Sequence, residues 1–239
     1  MDLIEALYAD GLTCVVGAGG KKTTLYALAN AAERAVLTAT VRIPLFDEQV
    51  SRVVVTDDPV GELDGNGEWP LGLVPEREDD RYRGYDPEVV DDLSAHAPGP
   101  VLVKADGART REFKAPGEDE PRIPEHADTV LPVASVHVVG KPLSEEFVHR
   151  PERVADLTGL STGDTVEPEH VAQVLAHARG GLKGVPRDAT VVPVLNKVDD
   201  GDLLVTARRI AHGIHDLLAE EFHVPHVALT SHGEVVRTV

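Results

Sequence analysis

Three short segments place phosphate-, metal- and base-binding residue types at spacings that chemistry requires. The first is Gly17-Ala18-Gly19-Gly20-Lys21-Lys22-Thr23-Thr24. Glycines let a turn aim successive backbone N–H groups at phosphate oxygens, and a following helix adds positive potential at its N-terminus. A lysine there reaches the β- and γ-phosphates, and a Thr hydroxyl after it can ligate Mg²⁺. The strict pattern G-x-x-x-x-G-K-[ST] is not met. With Lys22-Thr23 as the working pair, Lys21 occupies the final glycine position and Val16 the first. The alternative is a plain glycine turn between a strand and a helix.

The second segment is Lys104-Ala105-Asp106-Gly107-Ala108-Arg109. A carboxylate at the end of a buried strand would sit at the sheet edge where α/β proteins bind ligands. From there Asp106 is expected to meet the magnesium ion, catalytically with Lys22, while Gly107 permits close approach of a γ-phosphate. A bare Asp-Gly turn is the plainer alternative. The third segment is Asn196-Lys197-Val198-Asp199, an Asn-Lys-x-Asp order that reads guanine in GTP-binding proteins. Its carboxylate accepts from the ring N–H and the 2-amino group, and the lysine stem lies along the base. Adenine lacks those donors and would leave the carboxylate unpaired. Thr230-Ser231, after a later strand, is placed for a further base contact; a polar turn would look the same.

Other candidates are weaker. Thr38 and Thr40 end a strand and could approach the metal or the γ-phosphate, although β-propensity explains them equally well. Cys14 reads as core. His212, His215, His223, His226 and His232 contain two H-x-x-H spacings without a cysteine, and read as solvated rather than metal-binding.

The elements that must hold these residues follow from apolar patterning. Leu12–Val16 reads as a buried strand, and residues from about Lys22 to Arg34 as a helix with Leu25, Leu28, Ala29 and Ala32 on one face. Ala35–Thr40, Val50–Thr56, Val101–Ala105, Thr129–Val139, Thr190–Leu195 and Val224–Leu229 read as strands. Helices are expected after Pro87, after Pro168 and along the Leu203–Leu218 stripe. Residues 57–85, rich in Gly, Pro and acids, read as an excursion with a hairpin. Continuous apolar strands alternating with helices predict an α/β fold, P-loop NTPase-like, with a mostly parallel sheet covered on both faces and one domain over residues 1–239.

Composition narrows the partners. The 239 residues carry 41 acidic against 23 basic side chains, a formal net charge of −18. That field repels nucleic acid and anionic membranes, so neither is an expected partner. A bound phosphate must be held by local N–H groups and a few placed cations. The acidity, with Arg favoured over Lys, suggests a salt-adapted source. No apolar run approaches a membrane span. The N-terminus lacks a signal-peptide pattern, and one cysteine excludes an internal disulfide, so the cytoplasm is the expected compartment.

Three stretches together resemble one family: Val15–Ala29, Val103–Pro124 with its Asp-Gly-Ala…Lys-Ala-Pro…Glu-Pro-x-Ile-Pro run, and Gly140–Leu160 followed by the Asn-Lys-Val-Asp. The chain resembles the YqeC family, described as selenium-dependent molybdenum hydroxylase accessory proteins. The family loop reads G-x-G-G-K-T-T, which implies phosphate contacts at Gly17, Gly19, Gly20, Lys22 and Thr23. The extra lysine here leaves both Lys21 and Lys22 eligible for the phosphate-binding role. The implied function is a GTP- (or ATP-) and Mg²⁺-binding accessory protein in maturation of a molybdenum hydroxylase, with slow hydrolysis by positioning and charge stabilisation. No residue in the chain itself speaks of selenium or molybdenum. Alternatives are a non-hydrolysing module for a nucleotide-bearing cofactor and a small-substrate kinase. Arg109, Arg111, Lys114, His149 and Arg150 would then ring a substrate or partner, unless they only form surface salt pairs.

Overall fold

The computed structural model describes residues 2–218 and 222–239. A short helix α1 (Leu3–Leu7) leads into strand β1 (Leu12–Gly17), the glycine turn and helix α2 (Lys21–Ala31). Strands β2 (Val36–Ala39), β3 (Ile43–Pro44), β4 (Arg52–Val55), β5 (Leu71–Val74) and β6 (Arg81–Tyr82) follow, then helix α3 (Pro87–His96) and strand β7 (Val101–Lys104). Next come β8 (Phe113–Lys114), β9 (Thr129–Ser135), β10 (Val148–His149) and the helices α4 (Pro151–Thr158) and α5 (Pro168–Leu175). The chain ends with β11 (Thr190–Val191), β12 (Val194–Asn196), α6 (Gly201–Leu217), β13 (Ala228–Ser231) and β14 (Glu234–Thr238).

The main sheet runs β14-β13-β12-β9-β1-β7-β2-β5-β4, with β11 also on β9. All of its pairs are parallel except β13 with β14. The α/β class and the largely parallel sheet expected from the apolar runs are therefore observed. Alternation along the strands supplies both faces. Val15, Leu131, Val133 and Val194 pack on one side with Leu25, Leu28 and Ala29 of α2. Cys14, Val16 and Val130 meet Val90 and Leu93 of α3 on the other. Ala134, Leu195 and Leu229 extend that second face beneath α5 and α6. Each fully buried Val or Leu contributes about 1.5–3 kcal/mol of transfer free energy, so this two-sided burial is what holds the helices on the sheet.

Three details differ from the sequence reading. Residues 57–85 are not wholly an excursion: Leu71–Val74 return to the sheet as β5, between β2 and β4. The turn over 76–83 does form the expected hairpin contact, with Glu78 N–H donating to the Arg81 carbonyl at 2.8 Å. The sheet does not end after Leu229, because Glu234–Thr238 adds an antiparallel edge strand. Thr190–Leu195 is split at Pro193, which has no N–H to give a ladder.

With β1 at the centre and β7 and β9 as its neighbours, the glycine turn, Asp106 and the end of β9 emerge side by side. Asn196 and Thr230, paired across β12 and β13, reach the same edge. No helix of the described residues is long and apolar enough to cross a membrane.

Candidate functional site

The glycine turn is built for close approach. Gly19 has φ +77, and a Cβ there would run into the Glu112 carbonyl and Ser135. A Cβ on Gly20 would strike the Asn196 amide. Ala18 N–H donates to the Val133 carbonyl at 2.9 Å, anchoring the turn to β9. Gly20 caps α2 without a side chain, so the first-turn N–H groups, which lack intrahelical partners in any helix, have no side-chain cap.

Lys21 opens α2 and is buried. Its Nζ pairs with Asp106 Oδ1 and donates to the Gly17 carbonyl. Asp106 is 1 % exposed, and its Oδ2 accepts from Gly17 N–H at 2.8 Å and lies 3.0 Å from Lys114 Nζ. Lys114 also donates to Glu120 Oε2 at 2.9 Å, an oxygen that Arg150 Nη1 reaches at 2.6 Å. Gly107 N–H donates to the other Glu120 oxygen at 3.2 Å. Lys104 Nζ donates to the Arg42 carbonyl at 2.7 Å.

Among the described residues, every buried charged side chain belongs to this cluster: Lys21, Lys104, Asp106 and Lys114. Two ammonium groups, Lys21 and Lys114, thus flank one buried carboxylate, Lys104 lies near enough to feel the charges of Lys21 and Asp106, and Glu120 and Arg150 stand at the margin, in a chain of net charge −18. The electrostatics follow. Burial, then repulsion from Lys21, pushes Lys104 down to about 7. Burial likewise lowers Lys21, against the pull of Asp106. Burial opposes ionisation of Glu120, yet Lys114 and Arg150 hold it down at about 2. Burial, then Arg150 and Lys114, lowers His149 to about 4.

The Asn-Lys-Val-Asp segment lies beside this cluster. Asn196 Nδ2 donates to the Gly19 carbonyl at 3.0 Å, and its Oδ1 accepts from the Thr230 hydroxyl at 3.0 Å. Ser231 Oγ donates to Asp199 Oδ1 at 2.6 Å. Lys197, at φ +65, places its Nζ 2.7 Å from both Glu112 oxygens. The glycine turn, the Asp106 strand end and the Asn196–Ser231 pair of loops therefore converge on one edge.

Not every residue singled out in the sequence joins them. Lys22 and Thr23 are exposed. Thr23 lies about 200° round the helix from Lys21 and turns towards Gly233 in the β13–β14 turn, so it does not meet Asp106. Thr24 is buried, its hydroxyl directed back at the Gly20 carbonyl. The Thr38 hydroxyl donates to the Leu73 carbonyl at 2.7 Å, tying β2 to β5, and the Thr40 hydroxyl donates to the Arg122 carbonyl at 2.6 Å, tying the end of β2 to the loop before β9. Cys14 is core, with its thiol pushed up by burial. His215 and His226 bond backbone carbonyls of Val239 and Ala6, and no metal-binding group of His, Cys, Asp and Glu occurs among the described residues. Glu112 was missed by the sequence reading, while Lys104 and Glu120 lay inside segments it singled out without being given a role of their own. Lys104 closes the apolar run Val101–Val103 and Glu120 opens the Glu-Pro-x-Ile-Pro run; Glu112 sits in a polar stretch that marks nothing.

The fold and this site define an α/β protein with a largely parallel sheet and a lysine-rich polar centre at the C-terminal strand edge. A family model described as YqeC protein matches residues 13–152, and the chain belongs to the YqeC family. It is 32 % identical over 190 residues to the Uncharacterized protein YqeC of Escherichia coli (strain K12), covering 77 % of this chain and 74 % of that one. The family match contains the glycine turn, Asp106, Lys114 and Arg150; Asn196–Asp199 lies outside it.

Proposed function

We propose that the protein binds a purine nucleoside triphosphate, GTP by preference, with its phosphates at the glycine turn and its base at Asn196–Asp199. The observation that carries this reading is the bridge of Asn196 between the Gly19 carbonyl and the Thr230 hydroxyl, which ties a phosphate-type loop to a base-type loop. The order of β2, β7, β1, β9, β12 and β13 across the sheet, with the glycine turn on the middle strand β1, supports a P-loop NTPase-like assignment. The cation cluster supports it further, since a polyanion would relieve the mutual repulsion of Lys21, Lys104 and Lys114. In this reading Lys21 carries the phosphate contact, because Lys22 points into solvent.

Magnesium fits the site in a restricted way. The Asp106 oxygens are engaged by Gly17 N–H, Lys21 and Lys114, so Asp106 would hold Mg²⁺ through water rather than directly. The ion would add charge neutralisation on the phosphates. Lys21 and the first-turn N–H groups of α2 orient the polyphosphate, and Lys104 and Lys114 lower the cost of its charge. Turnover in this reading is slow, resting on positioning and charge stabilisation. An accessory role towards a molybdenum hydroxylase completes the proposal and is supported by the family resemblance alone.

Competition binding with GTP, ATP and XTP tests the reading. The parent protein should prefer GTP to ATP by orders of magnitude. Asp199→Asn should lose GTP and gain XTP, because an amide NH₂ complements the 2-oxo group of xanthine. A parent protein indifferent to GTP and ATP would remove the guanine assignment. One that binds neither would remove the nucleotide reading.

A further inference from the structure

Beside the nucleotide site lies a separate polar pocket of about 220 Å³, lined by Arg109, Arg111, His149 and Arg150, with Val148 at its base and Glu145 and Glu152 at its rim. We propose that it binds a small anionic molecule through a phosphate or carboxylate group, whether or not the glycine turn holds a nucleotide.

The open guanidinium donors are the first argument. Arg150 is paired with Glu120, which leaves Arg109 and Arg111 as the uncommitted cations of the lining, in a chain whose formal net charge is −18. Among the described residues, neither Arg109 nor Arg111 has a carboxylate within salt-bridge distance. Arg111 spends only its Nε, on the Glu145 carbonyl at 2.5 Å. Their forked N–H donors are therefore open, and that geometry matches two oxygens of one oxyanion. The volume is more than ten times the roughly 10–15 Å³ that admits one water, so the space suits a molecule larger than a bare ion.

Backbone conformation is the second argument. Arg109, Thr110 and Arg150 have φ of +46, +59 and +62, half of the six non-glycine residues with positive φ among those described. Left-handed conformations in side-chain-bearing residues cost on the order of 1 kcal/mol or more and gather at binding sites. Here they turn Arg109 and Arg150 towards one cavity.

The third argument is the wall. Strands β8 and β10 pair in parallel, so Lys114 and His149 are cross-strand neighbours on one face. Lys114 reaches Asp106, and Arg150 reaches Glu120, which also accepts from Gly107 N–H. The pocket and the phosphate cluster thus share a partition of Lys114, Glu120 and Arg150. His149, held neutral at physiological pH, presents a ring that donates at one nitrogen and accepts at the other.

The test is calorimetric titration with inorganic phosphate and with succinate at constant ionic strength. It is run on protein saturated with GTP and on Lys21→Met without nucleotide, so that anion held at the glycine turn is not counted. Saturable binding of at least one anion is expected in both settings, and the anion that saturates identifies the ligand group. Arg109→Ala/Arg111→Ala should weaken it at least tenfold, and Arg109→Lys/Arg111→Lys should restore part of the loss. In the parent background, the double alanine variant should keep its GTP affinity within twofold. Failure of both anions to saturate, or equal binding by the double alanine variant, would overturn the proposal. Loss of anion binding upon GTP saturation would overturn it as well. If GTP does not bind at all, the Lys21→Met arm still decides for or against the pocket, and only the nucleotide reading falls.

Discussion

Asn196 and Gly19 stand 177 positions apart in the chain and are joined by an amide-to-carbonyl hydrogen bond of 3.0 Å. The same side chain accepts from Thr230, so one buried amide fastens the turn after β1 to the ends of β12 and β13. Asn196→Ala would leave the Thr230 hydroxyl and the Gly19 carbonyl without these partners, at a cost of about 1–3 kcal/mol. For a chain of this length that lowers Tm by roughly 2–4 °C per kcal/mol. GTP affinity should fall at least tenfold in the same variant. A lowered Tm with unchanged affinity would make the bridge purely structural.

The two adjacent lysines should behave oppositely. Lys21 is buried against Asp106, while Lys22 is exposed. Lys21→Met should reduce GTP affinity by about a hundredfold, as expected for loss of a charge-assisted contact in a buried site. Lys22→Met should change it less than about threefold, the scale of a screened surface charge. Calorimetry on both variants decides which lysine serves the turn; the opposite order of effects would restore Lys22 to that role.

Lys104 predicts a pH dependence. Its value in the free protein is about 7, set by burial and then by Lys21, with Lys114 adding to the repulsion and Asp106 and Glu120 opposing it. A bound polyphosphate adds negative charge and raises that value. Affinity is then greatest below pH 7 and declines as pH climbs above it, with binding taking up a proton. Each unit of the rise is worth about tenfold in affinity. Titrations in two buffers of different ionisation enthalpy would reveal the uptake, and Lys104→Met should abolish it.

Much of this arrangement was legible in the sequence. The apolar runs ending at Gly17, at Lys104 and at Asn196 each mark a strand, and polar residues directly after such runs fall on one edge of a parallel sheet. The phase of the lysines was not legible. A shift of one residue at a helix start rotates a side chain by about 100°, and two lysines after two glycines carry no mark of which faces inward. Strand β5 was hidden because Leu71–Val74 is four residues long, contains Gly72 and lies among prolines and acids. Gly72 is there because a Cβ would press on Phe46, a contact visible only in the fold. Lys104 stood in the segment marked for Asp106 and Lys114 in a ring that suited either a substrate or surface salt pairs; their burial was not legible, since a lysine is seldom buried unless it is paired, and the pairing with distant residues exists only in the fold.

Because Lys21 and Lys114 rest against Asp106, and Arg150 against Glu120, these cations are never bare. A chloride ion from solution must compete with carboxylates tethered within 3.0 Å, whose local concentration exceeds that of any free monovalent ion. An anion with several linked charges faces a different contest, since it can replace all the contacts together. Any anion drawn to this centre would on these grounds have to be multivalent to displace the internal pairs.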